Sequence, residues 1–154
     1  MADIPFVPPS FEPPTGLVQD AFVLEPLDPR HNDRDHGAWS GSIDHIRSTP
    51  GYPDGRWPRE MTLEENRRDL ERHARDFAAR RGFTYTVLGA DDGDVIGCVY
   101  IYPLRGESGA EVSSWVRADR AELDVPLAEA VATWLEDAWP FERISYSGRA
   151  HLSR

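Results

Sequence analysis

The sequence predicts an α/β domain with a mixed, mostly antiparallel sheet flanked by helices, in the order β-α-α-β-β-β-α-β. Three observations support this fold class. Two helical segments follow a first short strand, an Asp-Gly hairpin signal at residues 91–94 joins two longer strands, and a further strand runs through an acidic turn into an amphipathic helix. The helical crossover after the third consecutive strand predicts a last strand parallel to it.

Composition limits the classes of function. The 154 residues suit a single domain, and no apolar run reaches the ~20 residues that a membrane span needs. The formal net charge of −10 disfavours nucleic acid and membrane partners. All 17 basic residues are arginine, which excludes a Schiff-base lysine and a P-loop lysine. We expect a cytoplasmic protein, because the N-terminus lacks a secretory pattern.

Residues 1–20 are rich in proline and show no helical period, so we expect an extended arm that lies on the domain surface or on a partner. A single domain is expected over 21–154. Its first strand is "AFVLEPL", residues 21–27. The first helix follows, with Asn32 or Asp33 as N-cap and apolar residues at helical spacing, and it ends near Pro50.

The second helix, predicted over Thr62–Arg81, is the most clearly marked element. Thr62 and Glu65 match a capping box, and Gly82 is expected to stop the helix. Its many charged residues indicate a solvated face with i,i+4 pairs such as Asp69 with His73. An anion-binding role for this face is the alternative.

Three strands and a third helix complete the core of the pattern. Residues 83–104 predict an antiparallel hairpin, and "AEVSSWVRA" at 110–118 predicts the next strand. Asp124 is expected to cap the following helix, with Pro126 in its first turn and Pro140 at its end. "FERISYSG" at 141–148 predicts the last strand.

The phrases "FVLEPLDPRHNDRDHGAWSGSIDHIRSTPG", "MTLEENRRDLERHARDFAARRGFTYTVL" and "SWVRADRAELDVPLAEAVATWL" resemble the GNAT (Gcn5-related N-acetyltransferase) superfamily, in particular small members of the kind common in actinobacteria. The resemblance covers about residues 21–148. It implies the GNAT fold, shortened at its C-terminus. It also implies acyl transfer from acetyl-CoA or another acyl-CoA to a small amine-type acceptor.

The resemblance places the turn that holds the acetyl-CoA pyrophosphate between the third consecutive strand and the helix after it. The family pattern there is R/Q-x-x-G-x-G/A, but this stretch contains no glycine, and Pro126 removes one backbone donor. Two carboxylates stand where an anion would bind. The implied cofactor-binding residues are Val116, Arg117, Arg120, Ala121, Glu122, Leu123, Asp124 and Val125. The sequence therefore leaves open a GNAT-like protein that has lost acetyl-CoA binding and serves as a small-ligand-binding or other biosynthetic protein, or as a dimeric interaction module.

In the superfamily the acyl thioester lies in a V-shaped opening between the fourth and fifth strands. Mapped onto this chain, Glu111 or His45 is the candidate general base, and Tyr146 is the candidate acid, since only a few residues follow the last strand. A surface position is the alternative for both bases. The candidate substrate-binding residues, for several of which core packing is the alternative, are Trp39, Arg56, Trp57, Tyr100, Tyr102 and Trp115.

Two further expectations concern partners and metals. A homodimer could form across the last strand, whose outer edge is expected to be unpaired. No metal is expected, because the spacing of His31, Asp33, Asp35 and His36 matches no tight ligand pattern. Cys98 lies in an apolar run and is expected to be a buried hydrophobic residue rather than a nucleophile.

Overall fold

A single six-stranded sheet organises the computed structural model, which describes residues 4–52 and 56–154. The strands lie in sequence order, and all neighbours are antiparallel except the last two, which are parallel. They are β1 (Leu17–Val18), β2 (Phe22–Pro26), β3 (Phe83–Gly89), β4 (Val95–Pro103), β5 (Ala110–Val116) and β6 (Ile144–Tyr146). The predicted mixed sheet and its parallel last strand are confirmed, and β1 is an addition.

Within the described residues, four α-helices cover the two faces of this sheet. They are α1 (Asn32–Ser40), α2 (Ile43–Arg47), α3 (Leu63–Ala78) and α4 (Asp124–Ala138). The sequence predicted one helix in place of α1 and α2, but the helix is interrupted at Gly41 and Ser42. Strand residues alternate between the faces, so that Val112 and Val116 of β5 pack with α4, whereas Trp115 packs with α1, α2 and α3. The sheet therefore separates two apolar layers, and β5 contributes to both.

The first helical segment begins earlier than the sequence predicted. Asp28, not Asn32 or Asp33, is the capping residue: its side chain accepts from the backbone N–H of Arg30 at the start of a 3-10 turn, Pro29–His31. Proline at the first helical position already has a helical φ, which moves the start forward by a turn. Asn32 is instead buried, and its amide donates to the carbonyl of Leu63.

The capping box of α3 is confirmed, but the helix ends earlier than the sequence predicted. Thr62 and Glu65 exchange side-chain-to-backbone hydrogen bonds of 3.0 and 2.9 Å. The helix stops at Ala78, and Arg80, not Gly82, takes the left-handed conformation with φ 62°. A left-handed conformation costs about 1–2 kcal/mol in a residue with a Cβ. The Arg80 guanidinium offsets this cost by donating to the carbonyls of Pro8 and Phe11, both at 2.7 Å.

The N-terminal arm packs on its own domain over the residues described, while residues 1–3 of the predicted arm lie outside them. Val7 is fully buried in the layer below α4, and Phe6 stacks on Phe83 at 5.8 Å between ring centroids. The hydroxyl of Tyr85 donates to the carbonyl of Pro14 at 2.6 Å. The arm therefore completes the core on that face.

The outer edge of β6 differs from the sequence prediction. Arg154 and Ile144 exchange two backbone hydrogen bonds of 2.8 Å, and the backbone N–H of Tyr146 donates to the Ser153 hydroxyl. The expectation of an unpaired edge is therefore wrong, because residues 153–154 turn back along the strand. Across residues 4–52 and 56–154, no helix is long and apolar enough to cross a membrane.

Candidate active site

The parallel strands β5 and β6 separate towards their C-terminal ends. They pair over Ala110–Val112 and Ile144–Tyr146, and the backbone N–H of Ser147 then donates to the carbonyl of Val112 at 2.8 Å. Beyond this point the chain from β5 turns into α4, and the chain from β6 turns away. We call the region between Ser113–Val116 and residues 147–149 the strand opening, and Pro50 and Gly51 pack against one side of it. Its mouth lies beside the first residues of α4.

On the α4 side of the sheet, two polar contacts join β6 and the residues after it to β5 and α4. The hydroxyls of Tyr146 and Ser114 lie 2.6 Å apart. The Arg149 guanidinium, only 5% exposed, donates to both carboxylate oxygens of Asp124 at 2.8 and 2.9 Å. The predicted capping role of Asp124 is therefore wrong: it is the first residue of α4, has helical dihedrals, and makes its side-chain bonds to Arg149.

The arginines of the turn before α4 are already paired. Arg117 forms two 2.9 Å hydrogen bonds to Asp119, and this contact holds the pKa of Asp119 below its usual value. Arg120 lies 3.2 Å from Asp92 and 3.5 Å from Asp91 in the β3–β4 turn. A phosphate approaching either guanidinium would compete with a carboxylate.

The opposite face of the sheet carries a cavity of about 410 Å³ next to β5, which we call the aromatic cavity. Trp57 is central, with ring centroids 5.8 Å from Tyr52 and 6.4 Å from Tyr100. Cavities of this size and lining suit small ring-bearing molecules. The lining residues are Tyr52, Trp57, Arg59, Met61, Asp69, Arg72, His73, Tyr100 and Ser113.

His73 is the ionisable group of this cavity that sequence reasoning assigned to the surface. It is 8% exposed, and burial lowers its pKa to about 4, so the imidazole is neutral at pH 7. Nδ1 lies 2.8 Å from the Tyr102 hydroxyl and 3.1 Å from Thr84 Oγ1. Because the Tyr102 hydroxyl donates to Asp76 at 2.9 Å, its oxygen accepts from Nδ1–H. Nε2 therefore keeps its lone pair.

The environment of Nε2 is charged. Asp69 Oδ2 lies 3.7 Å away and the Arg72 guanidinium 3.5 Å away, while Asp69 and Arg72 are joined at 2.6 Å. After burial, the Asp69 carboxylate has the largest effect on the His73 pKa and raises it, and Arg72 lowers it. Nε2 thus lies beside an ion pair at the wall of the cavity.

The sequence does carry a signal for the position of His73. Leu70, His73 and Phe77 follow an i, i+3, i+7 spacing, which places them on one face of α3. Leu70 is buried in the apolar layer that contains Trp39, and Phe77 packs against the apolar layer that contains Phe83. The i,i+4 pairing of His73 with Asp69 predicts a surface position, whereas the apolar spacing with Leu70 and Phe77 predicts a buried one.

A model of the acetyltransferase (GNAT) domain family matches residues 22–150. The chain belongs to the GNAT acetyltransferase family. This GNAT protein also has the fold of solved acetyltransferases, which confirms the fold class predicted from the sequence. No curated protein sequence matches it significantly.

Three solved structures illustrate the likeness. Ribosomal-protein-S5-alanine acetyltransferase from Vibrio fischeri is 13% identical, with a TM-score of 0.65 over 84% of this chain and 71% of that one. An acetyltransferase from Salmonella typhimurium that modifies the N-terminal serine of ribosomal protein L7/L12 is 11% identical, with a TM-score of 0.62 over 83% and 71%. The microcin C7 self-immunity acetyltransferase MccE, solved with acetyl-CoA and AMP, is 14% identical, with a TM-score of 0.64 over 86% and 72%. At sequence identities this low, the similarity to these structures shows a shared fold and no more.

One buried donor beside the turn before α4 lacks an acceptor in the part of the chain that the structure describes. Nε of Arg149 is buried at the mouth of the strand opening and lacks a hydrogen-bond partner within the described ranges. A buried N–H without an acceptor is costly, so this site favours an additional acceptor such as a phosphate oxygen. The carboxylate of Asp124 already holds the other side of the guanidinium, and a ligand there has to compete with it.

The remaining residues of the predicted cofactor turn fall into two groups. Val116 is fully buried, and Leu123 packs against the core below α4. Ala121, Glu122 and Val125 are exposed to solvent. Val116 and Leu123 therefore anchor the turn to the core, whereas the exposed group faces solvent.

The predicted substrate-binding residues divide between the aromatic cavity and the core. Trp57 and Tyr100 line the cavity. Trp115 is fully buried and donates its indole N–H to the Tyr100 hydroxyl at 3.1 Å. The others are Trp39, buried and bonded to Asn66; Tyr102, bonded to His73; and Arg56, which is exposed.

The three predicted catalytic residues are dispersed. Glu111 is exposed on β5 and accepts from the Ser147 hydroxyl at 3.3 Å. His45 lies on α2, where its Nε2 is buried and has no partner in the part of the chain described. Tyr146 lies on the α4 side of the sheet, and burial raises its pKa. None of them is among the described residues that line the aromatic cavity.

The histidine and aspartate residues near α1 serve the fold. His31 is fully buried, its Nε2 lies 2.7 Å from Glu25, and its Nδ1 accepts from the backbone of Asp28. Asp35 accepts from the amide of Asn66 at 3.0 Å. Within residues 4–52 and 56–154, no group of three or more ligand-type side chains could hold a metal ion.

Proposed function

We propose that this GNAT protein transfers an acyl group from an acyl-CoA to the amine of a small molecule bound in the aromatic cavity. One observation carries the proposal. A neutral histidine with a fixed tautomer, His73, lines a cavity that extends to Ser113, where β5 borders the strand opening. An amine held there would lie between a base and the strand at which the family binds its thioester.

The walls of the cavity favour a planar acceptor. Tyr52, Trp57 and Tyr100 are half-buried and offer ring faces and edges to a planar ligand. Asp69 and Arg72 supply opposite charges at one wall. The acceptor we propose is therefore a small aromatic or heteroaromatic amine.

His73 would take the proton from the attacking nitrogen. An acyl-CoA supplies a thioester carbonyl carbon for attack and a thiolate leaving group. As the amine nitrogen forms its bond to carbon it becomes strongly acidic, so a base whose pKa is about 4 can still accept its proton at Nε2. Tyr102 and Asp76 hold Nδ1–H in place during the transfer.

Other residues complete the proposal. Tyr146 is the proposed proton donor to the leaving sulfur, because burial keeps its hydroxyl protonated beside Ser114 at the strand opening. Glu111 and His45 are alternative bases. A cytoplasmic location and a homodimer remain predictions from the sequence.

A second function is favoured by the turn before α4. Its paired arginines, together with Asp124 and Glu122, oppose a phosphate ligand. The same aromatic cavity could then bind a small aromatic molecule without acyl transfer.

One pair of measurements tests the proposal against this alternative. Calorimetry with CoA and acetyl-CoA should show binding at micromolar to low millimolar concentration. A panel of small aromatic amines with acetyl-CoA should release free thiol, detected with a thiol-reactive dye. His73→Gln should keep CoA binding and lose turnover. Aromatic ligands that bind while CoA does not, up to several millimolar, would refute acyl transfer and support the alternative.

A further inference from the structure

The ion pair of Asp124 and Arg149 joins the two chain segments that leave the strand opening. Asp124 begins α4, directly after the turn from β5, and Arg149 follows β6 by three residues. The pair therefore spans the mouth through which a ligand would have to reach the space between the strands.

This ion pair is more buried than the ion pairs of the neighbouring turn. Arg149 is 5% exposed and the Asp124 side chain 17% exposed, whereas the arginines of the neighbouring turn are each 21% exposed. The guanidinium carbon of Arg149 lies 5.8 Å from the ring centroid of Tyr146. A guanidinium removed from water binds a carboxylate or a phosphate through charge-assisted hydrogen bonds, and its planar fork matches the geometry of both anions.

The Arg149 guanidinium is only partly satisfied by Asp124. Both carboxylate oxygens contact the same terminal nitrogen, and the buried Nε finds no acceptor among the residues described. A fork-like contact through Nε and a terminal nitrogen is what a phosphate or carboxylate prefers. One donor of that fork is thus held ready for an additional acceptor.

We propose that Arg149 binds the pyrophosphate of CoA and that Asp124 occupies the same guanidinium in the free protein. This inference rests on the proposed function, because it needs CoA as the ligand. Asp124 stands in the turn in which the family pattern has glycines, and it acts as an internal competitor for the anion. CoA binding therefore requires Asp124 to release Arg149.

The proposal is tested by calorimetry with CoA on the wild type and four variants. Asp124→Asn removes the competing charge with little change in shape and should bind CoA about tenfold more tightly than the wild type. Glu129→Gln is the matched control, since Glu129 is an exposed carboxylate of α4 beyond the turn, and should change the affinity less than about twofold. Arg149→Gln should weaken binding at least tenfold. Asp124→Asn/Arg149→Gln should bind no better than Arg149→Gln, because releasing Arg149 matters only when Arg149 is present.

Pantetheine, which lacks the pyrophosphate, separates phosphate recognition from steric opening. The gain from Asp124→Asn should disappear with pantetheine. Because a variant of a buried ion pair can unfold, each protein is checked by its melting temperature. The wild type is also titrated with CoA by NMR, in which the Arg149 Nε–H resonance should shift with CoA and not with pantetheine.

The results separate the two proposals. If CoA binds the wild type but Asp124→Asn binds no more tightly, if Glu129→Gln gains as much affinity, or if the Nε–H resonance does not move, the role of Arg149 is refuted and the proposed function stands. If none of the proteins binds CoA, both proposals fail.

Discussion

The hydroxyl oxygen of Tyr102, on β4, lies 2.8 Å from Nδ1 of His73, on α3. A strand residue therefore sets the tautomer of a helix residue. Since the same hydroxyl donates its hydrogen bond to Asp76, the Tyr102 oxygen can act toward the imidazole only as an acceptor. Nε2 consequently faces its surroundings as a proton acceptor whatever ligand enters the cavity.

Replacing Tyr102 by Phe tests this orientation. Nδ1 then keeps only Thr84 as a polar neighbour among the contacts described, so the imidazole loses its fixed tautomer. We expect kcat for acyl transfer to fall about tenfold, with KM changed less than threefold and the acid limb of the pH–rate profile shifted, because proton transfer is affected and binding is not. Tyr85→Phe is the control, since its hydroxyl bonds to the N-terminal arm. An equal loss in both variants would contradict the assignment.

Trp57 should determine acceptor affinity. It contacts Tyr52 and Tyr100 across the cavity, and truncation would open the wall to water. We expect Trp57→Ala to raise KM for an aromatic amine at least tenfold, while the affinity for CoA is unchanged. Trp57→Phe retains a ring and should recover most of the loss. Unchanged KM in Trp57→Ala, measured by steady-state kinetics, would exclude the cavity as the acceptor site.

The buried carboxyl of Asp35 should limit stability at neutral pH. Burial raises its pKa to about 6, against 3.8 for an exposed group. Between these values the native state binds more protons than the unfolded state, so this group makes unfolding easier as pH rises from about 4 to 6. The difference corresponds to about 3 kcal/mol at most. Asp35→Asn should therefore stabilise the protein at pH 7 and lose that advantage below pH 4, as measured by urea denaturation.

His73 should have the opposite effect on the pH dependence of the free energy of unfolding, over nearly the same pH range as Asp35. Its pKa is lowered to about 4 from 6.5, so the unfolded state binds more protons in between, and stability falls as pH drops from about 6.5 to 4. Its contribution is of the same order as that of Asp35. We expect the wild-type free energy of unfolding to vary little over this range and the Asp35→Asn protein to lose stability steeply on acidification. A flat profile in Asp35→Asn would contradict the neutral state of His73.

The arm contacts of Arg80 can be separated from its strained backbone. Arg80→Ala and Arg80→Gly both lose the hydrogen bonds to Pro8 and Phe11, and only glycine also relieves the left-handed φ of 62°. Glycine should therefore be the more stable variant by about 1 kcal/mol. Both should be cleaved faster than the wild type within residues 4–14 under limited proteolysis. Equal stability of the two variants would argue against strain at Arg80.

The fold was predictable because its signals are local. The turn residues between β3 and β4, and the capping box of Thr62 and Glu65, act within a few positions of the chain. The short strand β1 was missed because two residues in a proline-rich arm form a strand only when β2 pairs with them. The observed end of α3 differs from the prediction because it depends on a distant contact, the hydrogen bonds from Arg80 to the N-terminal arm.

The candidate site was less predictable because its central contacts join distant residues. Sequence patterns identify Trp57 and Tyr100 by their aromatic character, and both line the cavity. Asp124 reads as a cap in its own turn, and only tertiary structure brings Arg149 to it. His73 reads as a surface residue until β4 is laid against its face of α3.

The docked arm has a consequence for the order of folding. Phe6 stacks on both Phe83 and Phe141, so the closure of this contact encloses nearly the whole chain in one loop. Contacts between such distant positions form late, because the loop-closure entropy must be overcome before they contribute. The hairpin of β3 and β4 and the helices can form first, and the arm then closes over a sheet that already exists. Truncation of the arm should accordingly speed unfolding far more than it slows refolding.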